Sequence, residues 1–212
     1  MSHTEAPVRH VIWDWNGTLL DDADLSISVV NEILRRRQLA ELNRQRYADT
    51  FDFPVQDYYV RLGIPAKDFP LEGGRFIAEY DRRVEEAPLR AGALQLLRDF
   101  GSRGIECSVL SAARTHSIEA VLETRQLRGF FGEVVGLDNQ YAEGKVAAGK
   151  AWLERRRLDV GSAVMVGDTT HDYEVATAIG VRCVLVESGH QSREKLLSTG
   201  CKVLAQLSDF RP

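Results

Sequence analysis

Four polar side chains occupy positions where chemistry is often done in layered α/β proteins. Asp14, Ser111 and Asp168 each follow an apolar run that reads as a buried strand, and Lys145 stands at the start of a helical pattern. The carboxyl ends of parallel strands share one edge of a sheet, and ligands bind in the crevice there. We therefore expect these four side chains, which are far apart in the sequence, to meet at that edge.

This set of side chains suits the transfer of a phosphoryl group. Two carboxylates side by side, Asp14 and Asp168, would repel each other unless a cation lay between them. Mg²⁺ prefers oxygen ligands and commonly takes one or two carboxylates together with a substrate phosphate. A metal, a lysine, a hydroxyl and turn N–H groups can together neutralise the charge on phosphoryl oxygens. A P-loop pattern is missing from the sequence, which argues against nucleotide-driven chemistry of that type.

Each candidate also has an ordinary structural explanation. Asn16 and Gly17 form a strong hairpin signal, in which Asp14 would be only a turn residue. Ser111 could simply cap a turn or the following helix. Lys145 competes with Lys150 in a second Gly-Lys pair, and we prefer Lys145 because it opens its helix. Thr169 and Thr170 could cap a helix whose first turn contains Asp172.

The surrounding pattern predicts an α/β fold with a doubly wound parallel sheet. Wholly apolar strands alternate with amphipathic helices, as in sheets covered on both faces. The predicted strands are residues 8–13, 105–110, 133–137, 162–166 and 182–186, followed by a last segment of helix and strand. Core positions on the predicted helices include Leu25, Val29, Ile33, Leu34, Leu94, Leu97, Phe100, Val146, Ala147, Trp152, Leu153, Val175, Ala176 and Ile179.

Residues 22–88 separate the first two strands by far more than a connecting loop needs. Asp24 is placed to cap a first helix that runs to about residue 37, and the remainder stays helical with a break at residues 51–54. We therefore divide the chain into a core, residues 1–21 and 89–212, and an inserted helical subdomain, residues 22–88. Ser111 is predicted to follow the second strand in a turn, ahead of a helix from about residue 116 to 127.

Composition limits the class of partner. The net charge is −4 and charged residues make up 27% of the 212 residues, which does not favour a nucleic-acid partner. The three cysteines form no Cys-x-x-Cys pair and are predicted to be core thiols in a reducing compartment. No apolar run reaches membrane-spanning length, and the polar N-terminus is unlike a signal peptide. We expect a soluble cytoplasmic protein that acts on a small molecule; the sequence does not indicate its oligomeric state.

The four motifs, in this order, resemble those of the haloacid dehalogenase superfamily. The family's first motif, Asp-x-Asp-Gly-Thr, stands here as Asp14-Trp15-Asn16-Gly17-Thr18. Ser111 after Val109-Leu110 is similar to the second motif, Lys145 to the third, and the run from Gly167 to Asp172 to the acidic fourth. The helical insertion resembles the α-helical cap of phosphoglycolate phosphatase-like and β-phosphoglucomutase-like members.

The resemblance implies a magnesium-dependent phosphohydrolase acting on a small phosphorylated metabolite, of the phosphoglycolate or sugar phosphate type. Asp14 would be the nucleophile and form an aspartyl phosphate, with Asn16, Ser111 and Lys145 completing the catalytic group. The implied substrate-binding residues are Thr18, Ser111, Ala112 and Lys145. The implied magnesium ligands are Asp14, the backbone carbonyl of Asn16, Asp168 and Asp172, the last as a ligand or as support for the others.

Asn16 departs from the family pattern, in which the second aspartate is the general acid and base. An amide cannot supply that proton transfer, which is typically worth about 10²–10⁴-fold in rate. His171, Asp21 and Asp22 are candidate substitutes by their proximity in sequence. Other readings stay open: a phosphotransferase or mutase, a non-catalytic phosphometabolite-binding protein, or an engineered Asn16.

Specificity is expected from the insertion. Phe53, Tyr58, Tyr59 and Arg61 would close over the site, although aromatic side chains there could equally form the insertion's own core.

Overall fold

A parallel six-stranded sheet forms the centre of the structure, a computed structural model that describes residues 6–137, 144–187 and 189–212. The strands lie in the order β3-β2-β1-β4-β5-β6, and all neighbouring pairs are parallel. This order confirms the predicted doubly wound sheet. The strand bounds are β1 His10–Trp13, β2 Glu106–Arg114, β3 Glu133–Leu137, β4 Ala163–Gly167, β5 Arg182–Val186 and β6 Lys202–Leu204.

Helices cover both faces of the sheet, which explains why its central strands are apolar throughout. On β1, Val11 and Trp13 belong to a hydrophobic cluster on one face, and Ile12 belongs to a separate cluster on the other. The helix bounds are α1 Ala23–Arg36, α2 Arg44–Thr50, α3 Val55–Arg61, α4 Phe69–Arg83, α5 Ala93–Ser102, α6 Thr115–Thr124, α7 Lys145–Arg156, α8 Thr170–Ile179 and α9 Arg193–Leu197. Helices α5 and α6 pack on the first face, and α7 and α8 on the second.

Helices α1 to α4 all lie between β1 and β2 in the chain, and we call them the helical insertion. Side chains from all four pack into a hydrophobic cluster that is separate from the two on the sheet. The insertion contains no strand, as the sequence predicts, and residues 51–54 separate α2 from α3. The fold therefore places a second, smaller core beside the edge where β1 ends.

Three local predictions need correction. Strand β2 continues to Arg114, so Ser111 lies within the strand, because the small Ala112 and Ala113 extend it past a register irregularity beside β3. Helix α1 begins directly after Asp22, and the carboxylate of Asp24 lies exposed in its first turn instead of capping it. Ala147 is exposed, since it lies on the outer side of α7 from Trp152 and Leu153.

The part of the chain that the structure describes has no helix with both the length and the hydropathy needed to cross a bilayer.

Candidate active site

Three carboxylates from different parts of the chain meet at the carboxyl edge of the sheet. The pairing of β1 with β4 places Asp14 and Asp168 directly beyond neighbouring strand ends, and the Asp14 N–H donates to the Val166 carbonyl at 2.9 Å. Asp172 comes from the first turn of α8. One oxygen atom of each of the three carboxylates lies within 4.8 Å of the others, and all three residues are buried.

Lys145 is the ammonium group of this cluster. Its Nζ donates to Asp14 Oδ1 at 2.6 Å and to Asp172 Oδ1 at 2.5 Å, and its side chain is 2% exposed. Of the two lysines that the sequence offers, Lys145 lies in the carboxylate cluster, as predicted, and Lys150 lies exposed further along α7. The helix start therefore delivers one cation among three carboxylates.

Asp172 is held in place by the turn that precedes α8. Its Oδ2 accepts hydrogen bonds from the backbone N–H of Asp168 at 3.2 Å and of Thr169 at 3.0 Å, while the Thr169 side chain caps the helix in return. The predicted Thr169 cap is thus confirmed. The other carboxylate oxygen of Asp172, Oδ1, accepts from Lys145. Asp172 therefore holds both the turn before α8 and the Lys145 ammonium group in position.

Thr18 and Gly17 fix the position of Asp168. The Thr18 hydroxyl donates to Asp168 Oδ1 at 2.8 Å and lies 3.5 Å from Asp14 Oδ2. Gly17 has a φ of 76°, and a Cβ atom there would collide with both the Asp168 carboxylate and the His190 ring. The turn after β1 therefore tolerates only glycine at the point where it approaches the second carboxylate.

The electrostatics of the cluster show an excess of negative charge. Burial raises the pKa of Asp14 to about 8, with Lys145 opposing the shift and the charges of Asp172 and Asp168 adding to it. Burial also raises the pKa of Asp168. For Asp172, burial acts in the same direction but the ion pair with Lys145 outweighs it, so its pKa lies below the usual value. One ammonium group does not neutralise three carboxylates.

This donor set fits Mg²⁺. Buried carboxylate oxygens are the hard ligands that Mg²⁺ selects, and a divalent cation would offset the charge that raises the pKa of Asp14. Soft ligands are absent from the cluster of Asp14, Asp168 and Asp172, as the described residues define it. The cluster is therefore suited to a hard cation rather than to zinc or copper.

Ser111 and Ala112 line a cavity that reaches the same cluster. Ser111 is 1% exposed, and its hydroxyl accepts a hydrogen bond from the Ala113 N–H at 3.2 Å. The cavity has a volume of about 200 Å³ and extends from Asp14 into the helical insertion. All four predicted positions therefore meet at one place, although Ser111 reaches it from within a strand.

Asn16 makes a specific contact in place of the acid and base of the family pattern. Its amide donates to Asp22 Oδ2 at 2.9 Å and to the Tyr80 hydroxyl oxygen at 2.6 Å. The Tyr80 hydroxyl in turn donates to the same Asp22 oxygen at 2.6 Å, and the Gly17 N–H donates to Asp22 Oδ1 at 2.7 Å. Asp22 is thus surrounded by donors, and Asn16 is one of them.

His190 completes this network and was not identified from the sequence. Its ring Nε2 lies 3.3 Å from Asp22 Oδ1 and its ring Nδ1 lies 2.7 Å from the Tyr47 hydroxyl, while its backbone N–H donates to Asp168 Oδ2 at 2.7 Å. Burial lowers the pKa of His190, but Asp22 more than offsets this and raises it to about 9. The sequence signal that could have found it is its place in the turn after β5, at the same sheet edge as Asp14.

Of the three candidate substitutes for the missing acid, only Asp22 lies in the site. Burial raises its pKa, but His190, Tyr80 and Asn16 outweigh burial and lower the value to about 2. Asp21 instead pairs with Arg90 at 3.1 Å. His171 lies 3.1 Å from Glu174 and stacks on Phe53 at 4.5 Å between ring centroids. Neither Asp21 nor His171 lines the cavity beside Asp14.

The His190–Asp22 pair gives a testable pH dependence of stability. Because the pKa of His190 rises from 6.5 to about 9 on folding, its charge should stabilise the fold by about 3 kcal/mol, at about 1.4 kcal/mol per pKa unit. This contribution is complete below pH 6.5 and is lost as the pH rises through 9. We expect His190→Gln to lower the free energy of unfolding most below pH 6.5, measured by urea unfolding in EDTA. If the free energies of unfolding of His190→Gln and the unmodified protein differ by the same amount up to pH 10, the pairing is contradicted. In an Asp22→Asn background, the effect of His190→Gln on the free energy of unfolding should no longer depend on pH.

The aromatic residues predicted to face the substrate are divided by the structure. Phe53, Tyr58 and Tyr59 line the cavity, and the two tyrosines also belong to the insertion's hydrophobic cluster. Arg61 does not line it and donates to the Thr50 carbonyl at 3.3 Å. The two tyrosines therefore belong to the insertion's own core and also face the cavity, and their role in specificity stays a prediction.

Comparison with known proteins assigns the family. The sequence model of the haloacid dehalogenase-like hydrolases matches residues 11–186. The chain belongs to this family. Two phosphoglycolate phosphatases are similar to it: that of Caulobacter vibrioides is 31% identical, with 85% of this chain and 79% of the relative covered, and that of Rhodospirillum rubrum is 30% identical, with 95% and 88% covered. The predicted family and the prediction of an enzyme of the phosphatase class are both confirmed.

Solved structures of the family share the fold. A haloacid dehalogenase-like hydrolase from Streptococcus pneumoniae superposes with a TM-score of 0.81 at 15% identity, covering 94% of this chain and 95% of that one. A predicted phosphatase from Clostridium acetobutylicum gives a TM-score of 0.79 at 18% identity, covering 93% and 94%. At these identities the comparison supports the architecture, including the helices between β1 and β2.

Proposed function

We propose that this phosphatase is a magnesium-dependent phosphohydrolase that removes phosphate from a small phosphorylated metabolite through an aspartyl phosphate on Asp14. The observation that carries the proposal is the position of Asp14. It lines the end of the cavity, its carboxylate contacts Lys145, and Asp168 lies beside it. The two phosphoglycolate phosphatases support a small phosphate ester as substrate.

In this mechanism Asp14 attacks phosphorus and the alcohol leaves. Lys145 and the Ser111 hydroxyl hold the phosphoryl oxygens, and backbone N–H groups near Ser111 and Ala112, in the irregular segment of β2, add donors. Thr18 keeps the two carboxylates of Asp14 and Asp168 in position. The aspartyl phosphate is then hydrolysed by water, which restores the Asp14 carboxylate.

Magnesium would be held by Asp14, the backbone carbonyl of Asn16 and Asp168. When bound, it supplies positive charge to the phosphoryl oxygens and keeps Asp14 ionised. Asp172 lies within reach, and its contacts with Lys145 and the turn make it a support for the site as much as a ligand.

We further propose that residues 22–88 act as a cap over this site. The turn containing Phe51 is tied to the core, because Lys195 Nζ donates to the Phe51 carbonyl at 2.8 Å and Ser192 N–H donates to the Ala48 carbonyl at 3.1 Å. Phe53 stacks on His171 of α8 at the same junction. A cap held in this way encloses the cavity and excludes water from the reaction.

Asn16, in this account, holds Asp22 while protonation of the leaving group comes from water, a cap residue or the substrate. Asn16→Asp should therefore leave the turnover number unchanged or lower it, because the new carboxylate would lie against Asp22 and repel it. The loss of an amide donor to a buried carboxylate should also cost about 1–3 kcal/mol of stability. Steady-state phosphate release and urea unfolding measure both effects.

A matched control is the double variant Asn16→Asp, Asp22→Asn, which keeps one carboxylate and one amide in contact. Measured at pH 10, where most of the His190–Asp22 contribution is already lost, it should recover part of the stability that Asn16→Asp loses. A turnover number that rises tenfold or more with Asn16→Asp alone would show that the missing carboxyl group limits the rate.

The test of the proposed function is phosphate release from phosphoglycolate, sugar phosphates and nucleotides, with and without magnesium. We expect release that requires both magnesium and Asp14. Transfer of phosphate to a second metabolite without release would identify a phosphotransferase or mutase. Binding of phosphate esters without any turnover would identify a binding protein in which Asn16 has ended catalysis.

A further inference from the structure

The cavity beside Asp14 has two chemically different ends. At the sheet end lie the polar groups of the site, among them Ser111 and Lys145. The wall contributed by the helical insertion is built mainly from aromatic and aliphatic side chains: Phe53, Tyr58, Phe69, Phe76, Ile77 and Val84. A volume of about 200 Å³ has room for roughly a dozen water-sized groups, which is more than a phosphoryl group alone occupies.

The insertion side of the cavity offers few partners to a polar substrate. Residues 22–88 contribute no lysine or arginine to its wall, and the described cations that line it, Lys145, Arg114 and His190, all come from the core. Asp81 on this wall accepts from the Ser117 hydroxyl at 3.3 Å and would repel a second carboxylate. The Tyr80 hydroxyl is engaged with Asp22 and the Tyr47 hydroxyl with His190, while the buried Tyr58 hydroxyl has no partner among the described residues. The several hydroxyl groups of a sugar would therefore lose more hydrogen bonds to water than this wall can replace.

An apolar group gains from the same surroundings. Aromatic faces and branched aliphatic side chains provide buried contact area for a ligand ring, while specificity for polar ligands depends on a few placed polar groups, which are scarce on this wall. We propose that the substrate is a phosphate monoester whose alcohol carries an apolar, aromatic-sized group, rather than a polyhydroxy or carboxylate-bearing alcohol. This inference rests on the proposed phosphohydrolase function and names its substrate class.

The test compares esters that share a primary alkyl leaving group. For the unmodified protein with magnesium, kcat/KM for 2-phenylethyl phosphate should exceed that for glucose 6-phosphate, glycerol 3-phosphate and phosphoglycolate by about tenfold or more, the effect of burying one aromatic ring. A kcat/KM for any of the three polar esters that equals or exceeds the value for 2-phenylethyl phosphate overturns the proposal.

A cavity variant tests the same wall directly. Ile77 is half-buried, lines the cavity and belongs to none of the hydrophobic clusters of the described residues, so its replacement leaves the packed cores intact. Ile77→Asn should lower the ratio of kcat/KM between 2-phenylethyl and ethyl phosphate about tenfold. Leu71→Asn, on the same helix but 57% exposed, should leave that ratio unchanged. An unchanged ratio in Ile77→Asn would overturn the proposal.

Binding separates this proposal from the proposed function. Isothermal titration of the unmodified protein with 3-phenylpropylphosphonate and with 3-phosphonopropionate requires no turnover. We expect the phenyl compound to bind about tenfold more tightly. If no ester is hydrolysed but this preference holds, the phosphohydrolase function fails and the ligand class stands. Equal or reversed affinities overturn the ligand class whether or not any ester is hydrolysed.

Discussion

Asp14→Asn should reduce magnesium-dependent phosphate release by roughly 10³-fold or more, because it removes the nucleophile while keeping the size of the side chain. The amide cannot attack phosphorus, yet it preserves the hydrogen bond of the turn to Val166, which uses the backbone N–H. Initial rates of phosphate release under saturating substrate measure the effect. The variant should remain folded, because one negative charge fewer is buried beside Asp168 and Asp172.

The control for this prediction is Asp21→Asn. Asp21 is a neighbouring acidic residue that pairs with Arg90 at 3.1 Å and does not line the cavity beside Asp14. Its variant should keep most of the activity. Asp14→Asn with a rate within tenfold of the unmodified protein would rule out Asp14 as the nucleophile, and the aspartyl phosphate with it.

Lys145→Met should have the largest effect on stability, together with a loss of activity of about 10²-fold or more. Burial lowers the pKa of this ammonium group, but Asp14 and Asp172 outweigh burial and raise it above the ordinary value. Removing the cation leaves two buried carboxylates without a counter-charge, which typically costs about 3–5 kcal/mol. We expect that loss in the free energy of unfolding, measured in urea without divalent cations.

Magnesium distinguishes the electrostatic explanation from a simple packing defect. A divalent cation held by Asp14 and Asp168 would replace part of the missing charge, so added magnesium should restore some of the stability of Lys145→Met. Lys150→Met, on the exposed face of the same helix, should change stability by less than about 0.5 kcal/mol. A Lys145→Met protein as stable as the unmodified one would show that the lysine is not required to balance the carboxylates.

The positions that follow strands could be predicted from the sequence because their signals are local. Apolar runs identify β1 and β4, and the parallel topology then requires Asp14 and Asp168 to share one edge. The start of α7 places Lys145 at that edge by the same reasoning. The ends of strands are harder to predict from the sequence. Strand β2 continues through Ala112 and Ala113, and alanine gives no local signal that a strand continues or ends.

The network around Asp22 could not be predicted, because it depends on contacts between distant residues. His190 is 168 residues from Asp22 in the chain, and Tyr80 comes from a helix of the insertion. No periodicity or spacing in the sequence relates these side chains. The prediction that Asp24 caps α1 is wrong for a related reason. Asp22 precedes the helix instead, and the partners that bury its carboxylate become visible only in three dimensions.

The most direct test of the account is to trap the phosphorylated protein. The unmodified enzyme is mixed with substrate and magnesium, quenched in acid within the first turnover, and analysed by peptide mass spectrometry. We predict one phosphoryl group on Asp14, and none without magnesium or in Asp14→Asn. Phosphate release without any phosphorylated aspartate, or with the phosphoryl group on another residue, would contradict the proposed nucleophile.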